Sequence, residues 1–397
     1  MKIGFWGNFG THNFGNECTL HAMLSGARRH SSGAEFQGIS NDPVDTIERH
    51  HISALPISRS RSCAFARLPR PLRQLLHLMI SEPQDWLRVM RAMRKIDALV
   101  MTGTGMITDA NEGAMGAPYQ MFKWVLSAKV AGKNVKYVSV GTETLTHSVQ
   151  QFWLATSLRL ANYRSFRDEA SRERASRLTS RVVRDGIYPD LAFSLPESLV
   201  ARRVRAAHGK TTVAVGIYAV EWGTAMMRNY VETIGMFIVW LIDHGYRVRI
   251  VIGDAQYDTS VRVDLRNWLA GKNALSQVID ELASSFEQLM DQLADVDLVV
   301  ATRFHNVLLS LVLGKPVLSL SHMDKNDQLM HAMGMSAYCR SLKNIRLEEV
   351  VALFQELEEN AEDLRRSIKE RGDFFREQLE QQYAALFQDE QRPHASE

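Results

Sequence analysis

Short apolar runs alternate with longer stretches of helical periodicity along most of this chain. "KIGFW" at 2–6, "EFQGIS" at 35–40, "DALVMTG" at 97–103 and "VKYVSVG" at 135–141 are a few residues each and rich in apolar or β-branched side chains, as strands are. A helix is predicted from about Glu17 and another through "YQMFKWVLSAKVAG". Such alternation predicts a parallel sheet, because parallel neighbours need a crossover between them. Periodicity fades through "IYPDLAFSLPE", where Pro189 and Pro196 interrupt the chain, and a domain boundary is placed near 197–210. The rhythm restarts with "TTVAVGIY" at 211–218, a helix through "NYVETIGMFIVWLIDHG", "RVRIVIGD" at 247–254, "DLVVATR" at 297–303 and "PVLSLS" at 316–321. Two Rossmann-like domains in tandem are expected, over 1–203 and 204–345, with C-terminal helices and a tail over 346–397. From Leu347 to about Phe387 the pattern is helical and increasingly charged, which reads as a packing helix emerging into solvent, and "QRPHASE" reads as a frayed tail.

Polar residues at the joints of this pattern carry the candidate chemistry. In "VVATRFHNVLLSLVLGKPVLSLSH", 299–322, a buried strand meets a helix too densely apolar for the surface, and Arg303 and His305 stand where they join. That joint is the carboxyl end of a strand, where open α/β sheets bind ligands and a helix amino end adds partial positive charge. Arginine's planar fork suits bidentate capture of phosphate or carboxylate, and histidine titrates near neutrality. Buried guanidinium must meet an acid or a bound anion, and no acid neighbours Arg303 in sequence. A lone histidine there also suits a helix cap or a satisfied core contact.

After the first strand, "GNFGTHNFGNE" at 7–17 brings Gly7, Gly10 and Gly15 together with Asn8, Asn13 and Asn16, a loop able to offer backbone N–H groups to an anion just before a helix. Its spacing is neither the dinucleotide fingerprint nor a P-loop, and a tight strand-to-helix turn accounts for the glycines equally well. "TGTGMITD" at 102–109 repeats the logic with Gly103, Thr104 and Gly105, followed by Asp109. "VGTETLTH" then brings Gly141, Thr142, Glu143 and His147 to the same rim.

Composition narrows the function classes. The 397 residues are 45% hydrophobic and 23% charged with a formal net charge of +2, so no global field argues for nucleic acid. Three scattered cysteines, Cys18, Cys63 and Cys339, argue against a disulfide framework or a metal set and for a cytoplasmic location. "MKIGFWG" is not a signal peptide, and "IGMFIVWLI" at 234–242 is too short to span a bilayer. Residues 59–95 carry many arginines among leucines and read as basic amphipathic helices. They suit either peripheral docking on an anionic membrane surface at its inner face or an ordinary helical insertion.

Taken in order, "GNFGTHNFGNECTL", "DALVMTGTGMITD", "GKNVKYVSVGTETL", "YRSFRDEASRERA", "YPDLAF" and "DVDLVVATRFHNVLLSLVLGKPVLSLSHMDKNDQLM" resemble the polysaccharide pyruvyl transferase family over roughly residues 1–335. The resemblance departs from the family at "GNE", where Asn16 replaces a usual carboxylate, and at "TGTG", which stands in for a run of glycines. It implies an α/β chain of two Rossmann-like domains facing each other across a cleft, GT-B-like, with the active site in that cleft. It also implies transfer of the pyruvyl group of phosphoenolpyruvate onto two hydroxyls of a sugar or lipid-linked oligosaccharide acceptor, as a cyclic ketal, in exopolysaccharide or bacterial cell-surface glycan synthesis. Phosphoenolpyruvate is then a donor substrate, and no cofactor or metal is expected. Ketal formation needs an acid, a base and cationic clamps. His305 is assigned as acid or phosphate partner and Arg303 as clamp, with Glu17, Asp109 and Glu143 as candidate bases. Gly7, Asn8, Asn13, Gly15, Asn16, Gly103, Thr104, Gly105 and Thr142 are expected to bind substrate. A nucleotide-sugar glycosyltransferase and a non-catalytic carbohydrate-binding protein use the same architecture and are the alternatives.

Overall fold

A computed structural model of the chain describes residues 1–58, 77–103, 107, 113–201, 210–219, 223–321, 323–343 and 345–388. It divides into two compact units. Unit 1 comprises Met1–Thr11, Thr19–Leu191 and Leu379–Glu397, and unit 2 comprises His12–Cys18 and Ala192–Gln378.

The first sheet uses β1 (Lys2–Trp6), β2 (Glu35–Ser40), β3 (Ser53–Pro56), β4 (Ala98–Thr102), β5 (Asn134–Val140), β6 (Tyr163–Phe166) and β7 (Gly186–Ile187). Its helices are α1 (Phe14–His30), α2 (Pro43–His50), α3 (Glu82–Met93), α4 (Ala117–Val130), α5 (Ser148–Leu160) and α6 (Glu169–Leu178), of which α1 begins in the segment that belongs to unit 2. The strand order is β3-β2-β1-β4-β5-β6-β7 and every pairing is parallel, so the winding reverses between β1 and β4. β4 is apolar along its length because helices cover both faces of its sheet, and Leu99, Val100 and Met101 are wholly buried. Trp6, Leu99, Met121, Trp124, Tyr137 and Phe166 sit together in the core of this unit. Side-chain caps set several helix starts: Asp42 accepts from the N–H groups of Val44 and Asp45 ahead of α2, and Asp168 from Ser171 ahead of α6.

Unit 2 repeats the plan. Its helices and strands are α7 (Glu197–Ala201), β8 (Thr212–Gly216), α8 (Thr224–Asp243), β9 (Arg247–Val251), α9 (Thr259–Gly271), β10 (Val278–Ile279), α10 (Phe286–Ala294), β11 (Leu298–Ala301), α11 (Phe304–Val312), β12 (Val317–Ser321), α12 (Asp324–Ala332), β13 (Cys339–Ser341), α13 (Leu347–Glu359) and α14 (Ala361–Gln388). The order β10-β9-β8-β11-β12-β13 is again all parallel and reverses between β8 and β11. Gly314 at φ +71° ends α11, where a residue without Cβ adopts the left-handed conformation freely, and the chain turns into β12.

Two expectations are corrected. The C-terminal helical stretch does not emerge into solvent at its far end: Leu379, Tyr383, Leu386 and Phe387 are buried, and from Leu379 onward the helix belongs to unit 1. The glycine-rich loop is shorter than read, because α1 begins at Phe14 rather than near Glu17. Asn13 starts it: its side-chain oxygen accepts from Gly15 N–H at 3.2 Å and its carbonyl from Asn16 N–H at 3.0 Å. Among the described residues no helix is long and apolar enough to cross a membrane.

Candidate active site

In unit 2, β8 and β11 lie side by side at the reversal of strand order, with Ala301 level with Gly216. The crevice at the carboxyl ends of two such strands is where α/β sheets take ligands. Thr302 follows β11, its N–H bonded to the Gly216 carbonyl at 3.1 Å and its hydroxyl 3.1 Å from that of Tyr230. Arg303 is the N-cap of α11 in extended conformation and supplies no side-chain cap. Its guanidinium donates to Asp258 at 2.7 Å, lies 3.8 Å from Asp254, and stacks on the ring of Tyr218 with its carbon 4.5 Å from the ring centroid. Asp258 is wholly buried and also accepts from the N–H groups of Ala219, Gly253 and Asp254. Burial pushes its carboxyl above the ordinary range, against the opposing pull of Arg303 and of those N–H groups. Of the two partners that Arg303 required, an acid or a bound anion, it has the acid. The fork is held by the carboxylates of Asp258 and Asp254 in the loop after β9, and the buried Nε–H has no partner.

His305 lies in the first turn of α11 and is half-buried. Gly15 packs on it so closely that a Cβ on that glycine would lie 1.9 Å from the imidazole. The segment His12–Cys18 is fixed to unit 2 by its backbone: Asn13 forms a bridge with Asp254, Phe14 N–H donates to the Gly253 carbonyl at 3.2 Å, and Ala255 N–H donates to the His12 carbonyl at 3.3 Å. Asn13, Gly15, Asn16 and Glu17 are thus brought into the unit of Arg303 and His305, with Glu17 buried in the first turn of α1. Gly253 is required for a similar reason, since a Cβ there would meet Arg303 at 2.4 Å and Asn306 at 2.6 Å. Asn306 is wholly buried, and neither its amide nitrogen nor its oxygen has a partner.

In unit 1, Gly7 and Asn8 follow β1, Gly103 follows β4, and Thr142 and Glu143 follow β5, so these residues share the carboxyl rim of one sheet. A Cβ on Gly103 would lie 2.2 Å from the Ser139 carbonyl, which accounts for that glycine by close backbone approach. Thr142 is buried, its N–H held by Ser171 at 3.0 Å, and its hydroxyl has no partner. Glu143 N–H donates to the Ile107 carbonyl at 2.8 Å. Thr104, Gly105 and Asp109 lie outside the described residues. Among the described residues no three His, Cys, Asp or Glu side chains are grouped to hold a metal ion.

A model of the polysaccharide pyruvyl transferase family matches residues 13–324. The chain belongs to that family. No curated protein matches the chain in sequence. Solved structures similar to it include Anabaena HepE in complex with UDP-glucose, 12% identical over 98% of this chain and 99% of that one, with a TM-score of 0.59. S. aureus MnaA with UDP is 11% identical over 99% of each chain at 0.62, and a Thermobaculum terrenum O-GlcNAc transferase mutant is 16% identical over 98% of this chain and 68% of its own at 0.51. At such identity the likeness concerns fold, and the two parallel sheets with their helices make two Rossmann-like domains of the GT-B type.

Within this polysaccharide pyruvyl transferase family member the matched span takes in Asn13, Gly15, Asp254, Asp258, Arg303 and His305, while Gly7 and Asn8 precede it. Sequence reasoning missed Tyr218, Asp254, Asp258 and Asn306. Asp254 and Asp258 carried a signal, since "VIGDAQYD" puts both just after a strand that ends on the same rim as Arg303. The site can hold a half-buried imidazole against a backbone segment at a helix amino end, beside a guanidinium fixed by two carboxylates.

Proposed function

We propose that the protein transfers the pyruvyl group of phosphoenolpyruvate onto two hydroxyls of a surface-glycan or exopolysaccharide acceptor, closing a cyclic ketal in the cytoplasm. The methylene carbon of the donor takes a proton, the first sugar hydroxyl adds to the adjacent carbon, phosphate leaves, and the second hydroxyl closes the ring. The observation that supports this reading most is the contact of His305 with Gly15 at the amino end of α11, in a chain of this family. His305 is the acid or the phosphate partner. Arg303 is held by Asp258 and Asp254, and its clamp role falls to the guanidinium donors those carboxylates leave, the unpartnered Nε–H among them. Glu17 is the candidate base in the same unit as His305, and Glu143 and Asp109 are the other two candidates.

His305→Ala is expected to lower phosphate release from phosphoenolpyruvate in the presence of acceptor by roughly 10²–10⁴-fold, the range for loss of a general acid, with an unchanged melting curve. Turnover near that of the parent by the folded variant would reject the assignment. A thermal-shift comparison tests the donor: phosphoenolpyruvate is expected to stabilise the protein. Stabilisation by a nucleoside diphosphate alone would favour nucleotide-sugar transfer, and carbohydrate binding without turnover of either donor would favour a non-catalytic protein.

A further inference from the structure

One surface of unit 1 has no part in the chemistry above. In α3 the residues Glu82, Asp85, Val89 and Met93 form the buried face, and both acids point inward to the buried ammonium of Lys123, at 2.8 and 2.7 Å. The opposite face carries Pro83, Leu87, Arg91 and Arg94, with Lys95 beyond, and all are exposed. With its carboxylates turned inward, that helix presents only positive charge to solvent. Its apolar half is large: Leu87 is 52% exposed, and Met79 in the π-helical turn at His77–Ser81 is 69% exposed. The surface continues over α4 and α5 through an aromatic chain, Trp86 to Phe122 at 6.2 Å between ring centroids, Phe122 to Trp153 at 4.7 Å, and Trp153 to Phe152 at 5.1 Å. Phe152 is 57% exposed, and Val149 on the same helix is exposed as well.

We propose that this face of unit 1 docks on an anionic lipid bilayer. Exposed aliphatic and aromatic side chains, partly exposed tryptophans and a one-signed basic flank are the combination that seats a helical surface at the headgroup boundary. The charge complement distinguishes this occupant from a second copy of the chain, whose identical face would bring Arg91, Arg94 and Lys95 against themselves. The face is built from residues 79–95 with α4 and α5; residues 59–76 of the basic segment lie outside the described residues.

The test is co-sedimentation of the full chain with phosphatidylcholine vesicles, with and without phosphatidylglycerol. Binding is expected only to the anionic vesicles and is expected to weaken as salt rises. Arg91→Gln with Arg94→Gln should weaken it by about 25-fold, about fivefold for each charge near the surface. Leu87→Glu with Phe152→Glu should remove it while leaving the melting curve and phosphate release unchanged. Absence of binding by the folded parent, binding to neutral vesicles equal to that on anionic ones, or a dimer that Leu87→Glu dissolves would overturn the proposal. Because the readout is binding and not turnover, its failure is separable from failure of the proposed reaction.

Discussion

Replacing Gly15 by alanine separates the geometry of the site from the stability of the fold. Gly15 is the second residue of α1, and a Cβ there would stand 1.9 Å from Cγ and Cδ2 of His305 and 2.1 Å from Nε2. Carbon atoms pack at about 3.5–4.0 Å, so the imidazole has to retreat by about 1.6–2.1 Å or swing to another rotamer. A forced departure from its rotamer costs about 0.5–1.5 kcal/mol. Alanine in place of glycine within a helix gains up to about 1 kcal/mol, less in a first turn. The two effects offset each other, and the melting curve of Gly15→Ala should stay close to that of the parent. Catalysis has no such compensation, because a displacement of about 1 Å costs on the order of 10²-fold. Gly372→Ala is the matched control, since a Cβ on that helical glycine meets nothing within 4 Å. It should gain stability and keep full activity. Phosphate release from phosphoenolpyruvate, measured beside thermal melts of both variants, decides the matter. A Gly15→Ala enzyme that turns over like the parent would show that His305 does not work from the position seen here.

Two further outcomes follow from buried titratable groups. Lys123→Met leaves Glu82 and Asp85 without their shared cation and should destabilise the protein by about 3–5 kcal/mol at neutral pH in urea unfolding. Burial alone would raise Asp85, but hydrogen bonds from Arg88 and Lys123 outweigh it and hold the carboxyl below its ordinary range. The stability it contributes is therefore present above its unfolded value and lost as pH falls through the lowered one, so the gap between parent and variant should narrow in acid; a gap independent of pH would contradict this. Burial and the nearby carboxylate of Asp327 push the Cys339 thiol up to about 12, and iodoacetamide at pH 8 should leave it unmodified in peptide maps of the native protein. Rapid labelling of Cys339 before unfolding would refute that environment.

The central strands were legible because both faces of each are covered, which leaves continuous apolar runs such as "ALVMT" and "TVAVG". The outer strands were not. β7 and β10 are two residues long, and "YRSF" and "CRS" mix charge into strands of four and three, so neither periodicity nor composition marks them. Arg303 and His305 were legible from their place at a strand-to-helix joint. The partner of Arg303 was not, because Asp258 lies 45 residues earlier in the chain and meets it only once β8, β9 and β11 are side by side. The approach of Gly15 to His305 was hidden for the same reason. A glycine needed by a distant ring looks, in sequence, like a glycine needed by a turn.

The last turns of α14 have a bearing on how the molecule is made. They complete the N-terminal unit: Tyr383 packs on Gly26, Gln382 donates to Ser165 at 2.7 Å, Lys136 reaches the Leu386 carbonyl, and Glu380 pairs with Arg29 and His30. On the ribosome the whole of unit 2 emerges before these residues do, roughly 10–40 s of translation at about 5–20 residues per second. Until then the grooves that will receive Tyr383 and Phe387 stand open to water. Of the two units, the one begun earlier is thus the one sealed later.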